Sequence, residues 1–249
     1  MSDVAGANWM LAFDASTSRC VVALGRIAEG PYAELFEDVR DDEDRQASAQ
    51  MHERIAALLQ RAAITADALE CIACGSGPGT FTGTRVAIAL CKGLAVAIDR
   101  PIVAVSTLAA VAASIDRTGP VLALLDARRA EVYTATFELR HDDVVPREAP
   151  RCVAIEAALL GAEGHHLVGP GVAPYADRIA ASFERTTLTG PTARGLWRAA
   201  IATRRAAGTI DAAALEAVYL RESYAELGVN VAKRPTFHSP FLEPDPSDS

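Results

Sequence analysis

Two places in this chain combine residue types and spacing that could do chemistry. The first is the run from Gly75 to Arg85, GSGPGTFTGTR, in which Gly75, Gly77, Pro78, Gly79 and Gly83 frame Phe81 and Thr82. A glycine turn that opens a helix can cradle phosphate, because free amides and the helix dipole favour an anion there. The spacing matches neither standard fingerprint: position six counted from Gly75 or Gly77 is Thr80 or Thr82, and no Gly-Lys-Ser/Thr follows. Gly79 is expected at a positive φ that a β-branched residue would resist. The second place is a pair of aspartates. LAFDASTSRCVVAL, from Leu11, and ALLDARRAEVYTAT, from Ala123, each run an apolar strand into Asp, turn, and leave on a second alternating strand. Asp14 and Asp126 thus hold equivalent places in a duplicated hairpin.

These residues need elements to hold them. Leu69 to Cys74 suits a buried strand, and Val86 to Ile98 is a helix apolar on nearly every side except at Lys92. Such a helix must be covered on more than one side. Gly83, Ala87, Leu90, Leu94 and Ala97 recur at helical spacing, and Val86, Ala89, Gly93 and Val96 form a neighbouring stripe whose small residues allow close helix approach. From periodicity alone, a helix sandwiched inside its own α/β domain ranks ahead of a partner surface. The first half also holds a third strand near Tyr32 to Asp38, an acidic loop from Asp41 to Asp44, and a helix from about Ser48 to Ala63 with Met51, Ile55, Leu58, Leu59 and Ala62 as its apolar stripe. A strand near Ile102 to Val105 and a helix capped by Ser106 or Thr107 follow. In the second half a strand at Leu167 and Val168 stops at Gly169-Pro170-Gly171. Helices are expected from Ala173 to Ser182 and from Thr192 to Ala207, with Asp211 as a further cap. Two halves result, 1–118 and 119–234, with 235–249 expected to be disordered or an extended arm.

Composition limits the function classes. The 249 residues are half hydrophobic and carry a formal charge of −8, which argues against a whole-surface nucleic-acid footprint. No run approaches the roughly 18 apolar residues of a membrane span, and the first residues lack the regions of a signal peptide, so no membrane role and a cytoplasmic location are expected. The five cysteines read as reduced core residues. Cys71 and Cys74, three apart on a strand, point to opposite faces and cannot easily share a metal or disulfide. No HExxH or HxxxH is present, so no metal site is expected.

Asp-led hairpins opening two related halves outline the actin-like, Hsp70-like and sugar-kinase (ASKHA) architecture, an α/β fold of two mixed-sheet subdomains with flanking helices. There the aspartates address metal and phosphates, and a glycine shortly after each permits close approach. Here Ser16 and Arg128 stand two residues after Asp14 and Asp126. Arg128 could neutralise phosphate in a working site, but a bulky cation where a close backbone contact is needed favours a filled, retired pocket. Ser16, Thr17 and Ser18 are read as turn residues.

Four segments resemble the TsaB (YeaZ) family: LAFDASTSRCVVAL, GPGTFTGTR followed by KGLA, LLDARRAEVY, and AVYLRES from Ala217 to Ser223. They span nearly the whole chain, with departures at Ala47-Ser48 and at Ala130, where the family has a His-Ser or His-Thr pair and a glycine. The resemblance implies a non-catalytic subunit that pairs with its paralogue TsaD, joined by the small ATPase TsaE. The reaction served is threonylcarbamoyl transfer to N6 of adenosine 37 in tRNAs reading codons that begin with A. ATP and metal are then expected on the partner subunits and none on the isolated chain, tRNA would be met only through the complex, and the isolated chain could pair with itself. The implied pairing surface lies on the two helices flanking the glycine turn, with Met51, Ile55, Leu58, Gly83, Arg85, Val86, Ala87, Ala89, Leu90 and Gly93 as candidates. On this resemblance the partner reading of the apolar helix outranks the internal one. An active actin-like ATPase or kinase and a glycopeptidase-like hydrolase are the alternatives.

Overall fold

The structure, a computed structural model, describes residues 8–41, 50–141 and 143–221. The helix start near Ser48, the loop beyond Asp41 and the stretch 235–249 lie outside the described residues.

Each Asp-led hairpin becomes the centre of a mixed sheet. In the first half, β1 (Trp9–Asp14), β2 (Arg19–Arg26), β3 (Phe36–Asp41), β4 (Leu69–Gly75) and β5 (Ile102–Val105) run in the order β3-β2-β1-β4-β5. β1, β2 and β3 are antiparallel neighbours, while β4 and β5 are added in parallel. In the second half, β6 (Gly119–Asp126), β7 (Glu131–Arg140), β8 (Asp143–Pro146), β9 (Arg151–Ala154), β10 (His166–Val168) and β11 (Arg185–Thr186) give β11-β10-β6-β7-β8, with β9 also on β7. β6 and β7 are antiparallel and β10 and β11 are added in parallel. The duplication read in the sequence is therefore a duplication of topology, as the ASKHA fold requires.

Helices fill the layers: α1 (Met51–Arg61), α2 (Phe81–Ile98), α3 (Thr107–Ala112), α4 (Ile155–Leu159) and α5 (Ala193–Ala207). Ser106 caps α3 by accepting from Ala109 N, and Thr192 caps α5 by accepting from Gly195 N at 2.9 Å. Strand alternation sorts the core. From β1, Met10 and Ala12 face a central layer with α3, α5 and the second sheet, while Trp9, Leu11 and Phe13 face α1 and α2. From β6, Val121, Ala123 and Leu125 face the same central layer, and Leu122 and Leu124 face α4. Burying each large side chain fully contributes about 1.5–3 kcal/mol, so these layers are what holds the halves together. Cys71 and Cys74 lie in different layers, as alternation requires. Contact with Cys91 and burial push the Cys74 thiol well above its usual range, which keeps it protonated and inert.

Three expectations change. The third strand begins at Phe36, because Pro31 and Gly30, at φ 69°, hold Ile27–Tyr32 in a 3-10 turn. The helix expected from Ala173 is a 3-10 turn, Ala173–Tyr175, that drops Tyr175 and Ile179 into the outer core of the second half. The segment after α5, read as part of the second half, returns to the first. Ile210 and Ile102 exchange backbone hydrogen bonds at 2.8 Å, and Leu215 is buried against the α1–α2 layer.

Candidate functional site

The two hairpin turns meet across a cleft of about 320 Å³, lined among others by Ser16, Thr17, Gly79, Thr80, Asp126 and Arg128. The structure thus brings together both degenerate phosphate-loop positions and the glycine turn. What they do there differs from a phosphate cradle. Asp14 is fully buried: its Oδ1 accepts from the Ser16 amide and hydroxyl, each at 2.7 Å, and its Oδ2 accepts from the Thr107 hydroxyl at 2.9 Å. Burial raises its pKa, and the three hydrogen bonds oppose that shift only in part. A carboxylate so enclosed is turned away from the cleft and cannot address a metal or phosphate.

The glycines explain why. A Cβ on Gly75 would stand 1.9 Å from Asp14 Oδ2, one on Gly79 2.2 Å from the Ser16 carbonyl oxygen, and one on Gly83 1.8 Å from the Ala15 carbonyl oxygen. Thr80 N donates to Ser16 O at 2.6 Å. The first hairpin turn therefore packs directly on the glycine turn, and the glycines are required for that close approach. This corrects the expectation for Gly79, whose constraint is contact; the positive φ belongs to Gly77, at 97°.

The second turn is filled in another way. Asp126 Oδ1 accepts from the Arg128 amide and from the Tyr175 hydroxyl, both at 2.8 Å, and its Oδ2 lies 3.6 Å from Arg128 Nη1. Burial, with the Asp126 hydrogen bond, pushes the Tyr175 hydroxyl up to about 12, so it stays a donor. Arg128, Arg129 and Ala130 have φ of 66°, 57° and 61°. Three consecutive left-handed residues without glycine store strain. Replacing Ala130 by Gly, which adopts a positive φ without strain, is expected to raise stability by about 0.5–1 kcal/mol, read as a higher urea midpoint with unchanged slope. No histidine lines the cleft among the described residues, which leaves Ser16 and Ser18 without a base for hydrolase chemistry.

Beside the cleft stands α2, whose orientation decides the rest. It buries Gly83, Thr84, Ala87, Cys91 and Ala95 against the first sheet. The opposite face, with Arg85, Ala89, Gly93, Val96 and Ala97, is exposed, and Val86 and Leu90 are half-exposed beside it. The candidate pairing set divides accordingly. Gly83 and Ala87 are buried core, and so are Met51, Ile55 and Leu58 of α1. All five are withdrawn from any surface, because the first sheet needs them as cover. Arg85, Val86, Ala89, Leu90 and Gly93 stay accessible, as do Phe81 and Thr82 at the helix start. α2 also corrects the hydropathy reading. Its 18 residues average 1.5 in hydropathy, long and apolar enough to cross a membrane by length and composition, although its buried face is committed to the sheet.

The chain that returns after α5 supplies site residues that spacing alone did not single out. Val218 N donates to Ser76 O at 2.8 Å, Tyr219 stacks near Phe81, and Arg221 bonds the Ala127 carbonyl at 2.9 Å and pairs with Glu131. The stretch 218–221 of the AVYLRES segment thus straps the glycine turn to the second hairpin, while Glu222 and Ser223 lie outside the described residues.

The family model for TsaD, tRNA N6-adenosine threonylcarbamoyltransferase, matches residues 41–193, more than half of the chain. The chain belongs to that family. Relatives of the chain include proteins named TsaB. The chain is 33% identical over 132 residues to the tRNA threonylcarbamoyladenosine biosynthesis protein TsaB of Escherichia coli, covering 52% of this chain and 54% of the relative. The TsaB of Bacillus subtilis is 32% identical over 141 residues, 55% and 59% of the two chains. The chain spans about half the length of the curated relatives it matches. Among solved structures, YeaZ from Pseudomonas aeruginosa superposes with a TM-score of 0.74 at 28% identity, covering 86% of this chain and all of that one. The TsaB (YeaZ) fold therefore extends over both halves described above, beyond the segment that aligns with the curated relatives.

Proposed function

We propose that this chain is a non-catalytic accessory subunit for threonylcarbamoyl transfer to N6 of adenosine 37 in tRNAs that read codons beginning with A. It acts in the cytoplasm by docking the catalytic TsaD paralogue on the exposed face of α2, with TsaE as a further partner. ATP and metal are bound by those partners, and tRNA is met only within the complex. One observation carries the reading. α2 presents an exposed apolar face, Ala89, Gly93 and Val96, and the cap before its first turn, Thr80, lines a cleft in which Ser16 and Arg128 are bonded to the chain's own Asp14 and Asp126. The open face of an 18-residue helix this apolar favours association. A second copy could take that face when the chain is alone.

The test is co-purification with the paralogue from the same organism, followed by a threonylcarbamoyl-transfer assay with and without this chain. Transfer is expected to depend on the chain, and the isolated chain is expected neither to bind nor to hydrolyse ATP by calorimetry and phosphate release. Tight one-to-one ATP binding with turnover would overturn the non-catalytic assignment.

A further inference from the structure

α2 carries two cations, Arg85 and Lys92, and no acidic residue between Phe81 and Ile98. Lys92 is engaged within the chain, its Nζ donating to the Ala213 carbonyl at 3.5 Å. Arg85 is held by two aromatic rings. Its guanidinium carbon lies 3.6 Å from the centroid of the Phe81 ring and 5.7 Å from that of Tyr219. Its Nε donates to the Tyr219 hydroxyl at 2.8 Å. No carboxylate pairs with Arg85 among the described residues. Both rings are about half exposed, 52% and 51%, so the cluster sits on the surface at one end of the apolar face.

The geometry restricts an arginine that would otherwise sample many rotamers. Two rings limit the guanidinium plane and the Nε bond fixes its rotation, leaving Nη1 and Nη2, the fork that matches a carboxylate. Ordering the side chain before binding removes much of the entropic cost of using it. Tyr219 is in turn held on both sides, by Leu215 in the core and Val218 on Ser76, and by Arg221 on the second hairpin.

We propose that Arg85, clamped by Phe81 and Tyr219, is a preformed receptor for a carboxylate on the protein that docks on α2, and that Tyr219 is its positioning residue. This rests on the docking reading above. The partner is a protein rather than RNA because the surface continuing from Arg85 is Ala89, Gly93 and Val96. A phosphate backbone would find one cation beside an apolar strip on a chain of charge −8.

The experiment titrates the full chain and its variants into the TsaD paralogue by calorimetry at low and high salt. Arg85→Ala is expected to weaken binding about 10–100-fold and to lose most of the salt dependence. Arg85→Lys should recover only part of that loss, because an ammonium lacks the fork. Tyr219→Phe keeps the stacking and removes only the Nε acceptor; it should weaken binding by roughly threefold to tenfold with an unchanged melting temperature. Ala89→Arg separates the two levels of the argument. If it binds like the wild type, the docking reading fails and takes this inference with it. If it blocks binding while Arg85→Ala and Tyr219→Phe stay within about twofold of wild type, the carboxylate receptor alone is overturned. Loss of tRNA binding by the complex, with pairing intact in Arg85→Ala, would also overturn it and reassign Arg85 to phosphate.

Discussion

Gly83→Ala is expected to cost the protein its fold. The added methyl would stand 1.8 Å from the Ala15 carbonyl oxygen and 2.7 Å from Thr80 Oγ1. Real carbon–oxygen contacts lie more than an ångström farther apart, so backbone must move. The first hairpin turn cannot retreat, because Asp14 is pinned by Ser16 and Thr107 and the Ser16 carbonyl accepts from Thr80 N at 2.6 Å. Gly79→Val meets the same turn at the Ser16 carbonyl, 2.2 Å from the new Cβ. Both should lose about 4 kcal/mol or more, the range reserved for overpacking and broken buried networks. In a chain of this size that lowers the melting temperature by roughly 10 °C or more, or prevents soluble expression. Gly93→Ala is the control: nothing lies within 4 Å of its added Cβ, and it should gain about 0.5–1 kcal/mol from helix propensity. A stable Gly83→Ala protein would mean that the two turns are not packed together as described.

The second large effect separates two positions only two residues apart. Ala87 is fully buried in the layer with Leu11, Phe13 and Ile72, whereas Ala89 is exposed. Arginine at 87 must either bury an unpaired charge, at several kcal/mol, or force α2 off the sheet. Ala87→Arg should therefore unfold, with loss of the cooperative thermal transition. Arginine at 89 points to solvent and should change stability by no more than about 0.5 kcal/mol. Pairing with the paralogue should nonetheless fall by at least about 100-fold, because a long charged side chain then occupies the strip where a helix must approach. Circular dichroism and melting read the fold, and calorimetric titration reads the pairing. An Ala89→Arg variant that unfolds, or one that pairs normally, removes α2 as the docking face.

What could be read from the sequence was local. The apolar run from Leu11 into Asp14 is a property of one strand, and the paired Asp14 and Asp126 turns announce a repeated hairpin before any contact is known. The cap before α3 acts within four residues of itself, so the sequence narrowed it to Ser106 or Thr107, and the start of α5 was placed at Thr192, which caps it. The orientation of α2 was not, because a helix apolar on almost every side gives periodicity no contrast to work with. The first sheet decided it, selecting the row Gly83, Ala87, Cys91 and Ala95 and leaving Ala89 and Gly93 outside. On α1 the sequence named the correct stripe and misread its use: Met51, Ile55 and Leu58 repeat as any amphipathic face does, and only the β-sheet beneath makes them core. The glycines carried the same ambiguity. A turn that leaves room for phosphate and a turn that leaves room for another backbone need the same residue, since both require the absence of a Cβ. Which of the two fills the space depends on Asp14 and Ser16, some 60 residues earlier, and on the strap bearing Tyr219, more than 130 residues after the turn. Contacts between segments so distant along the chain are settled by the packed layers that bring them together.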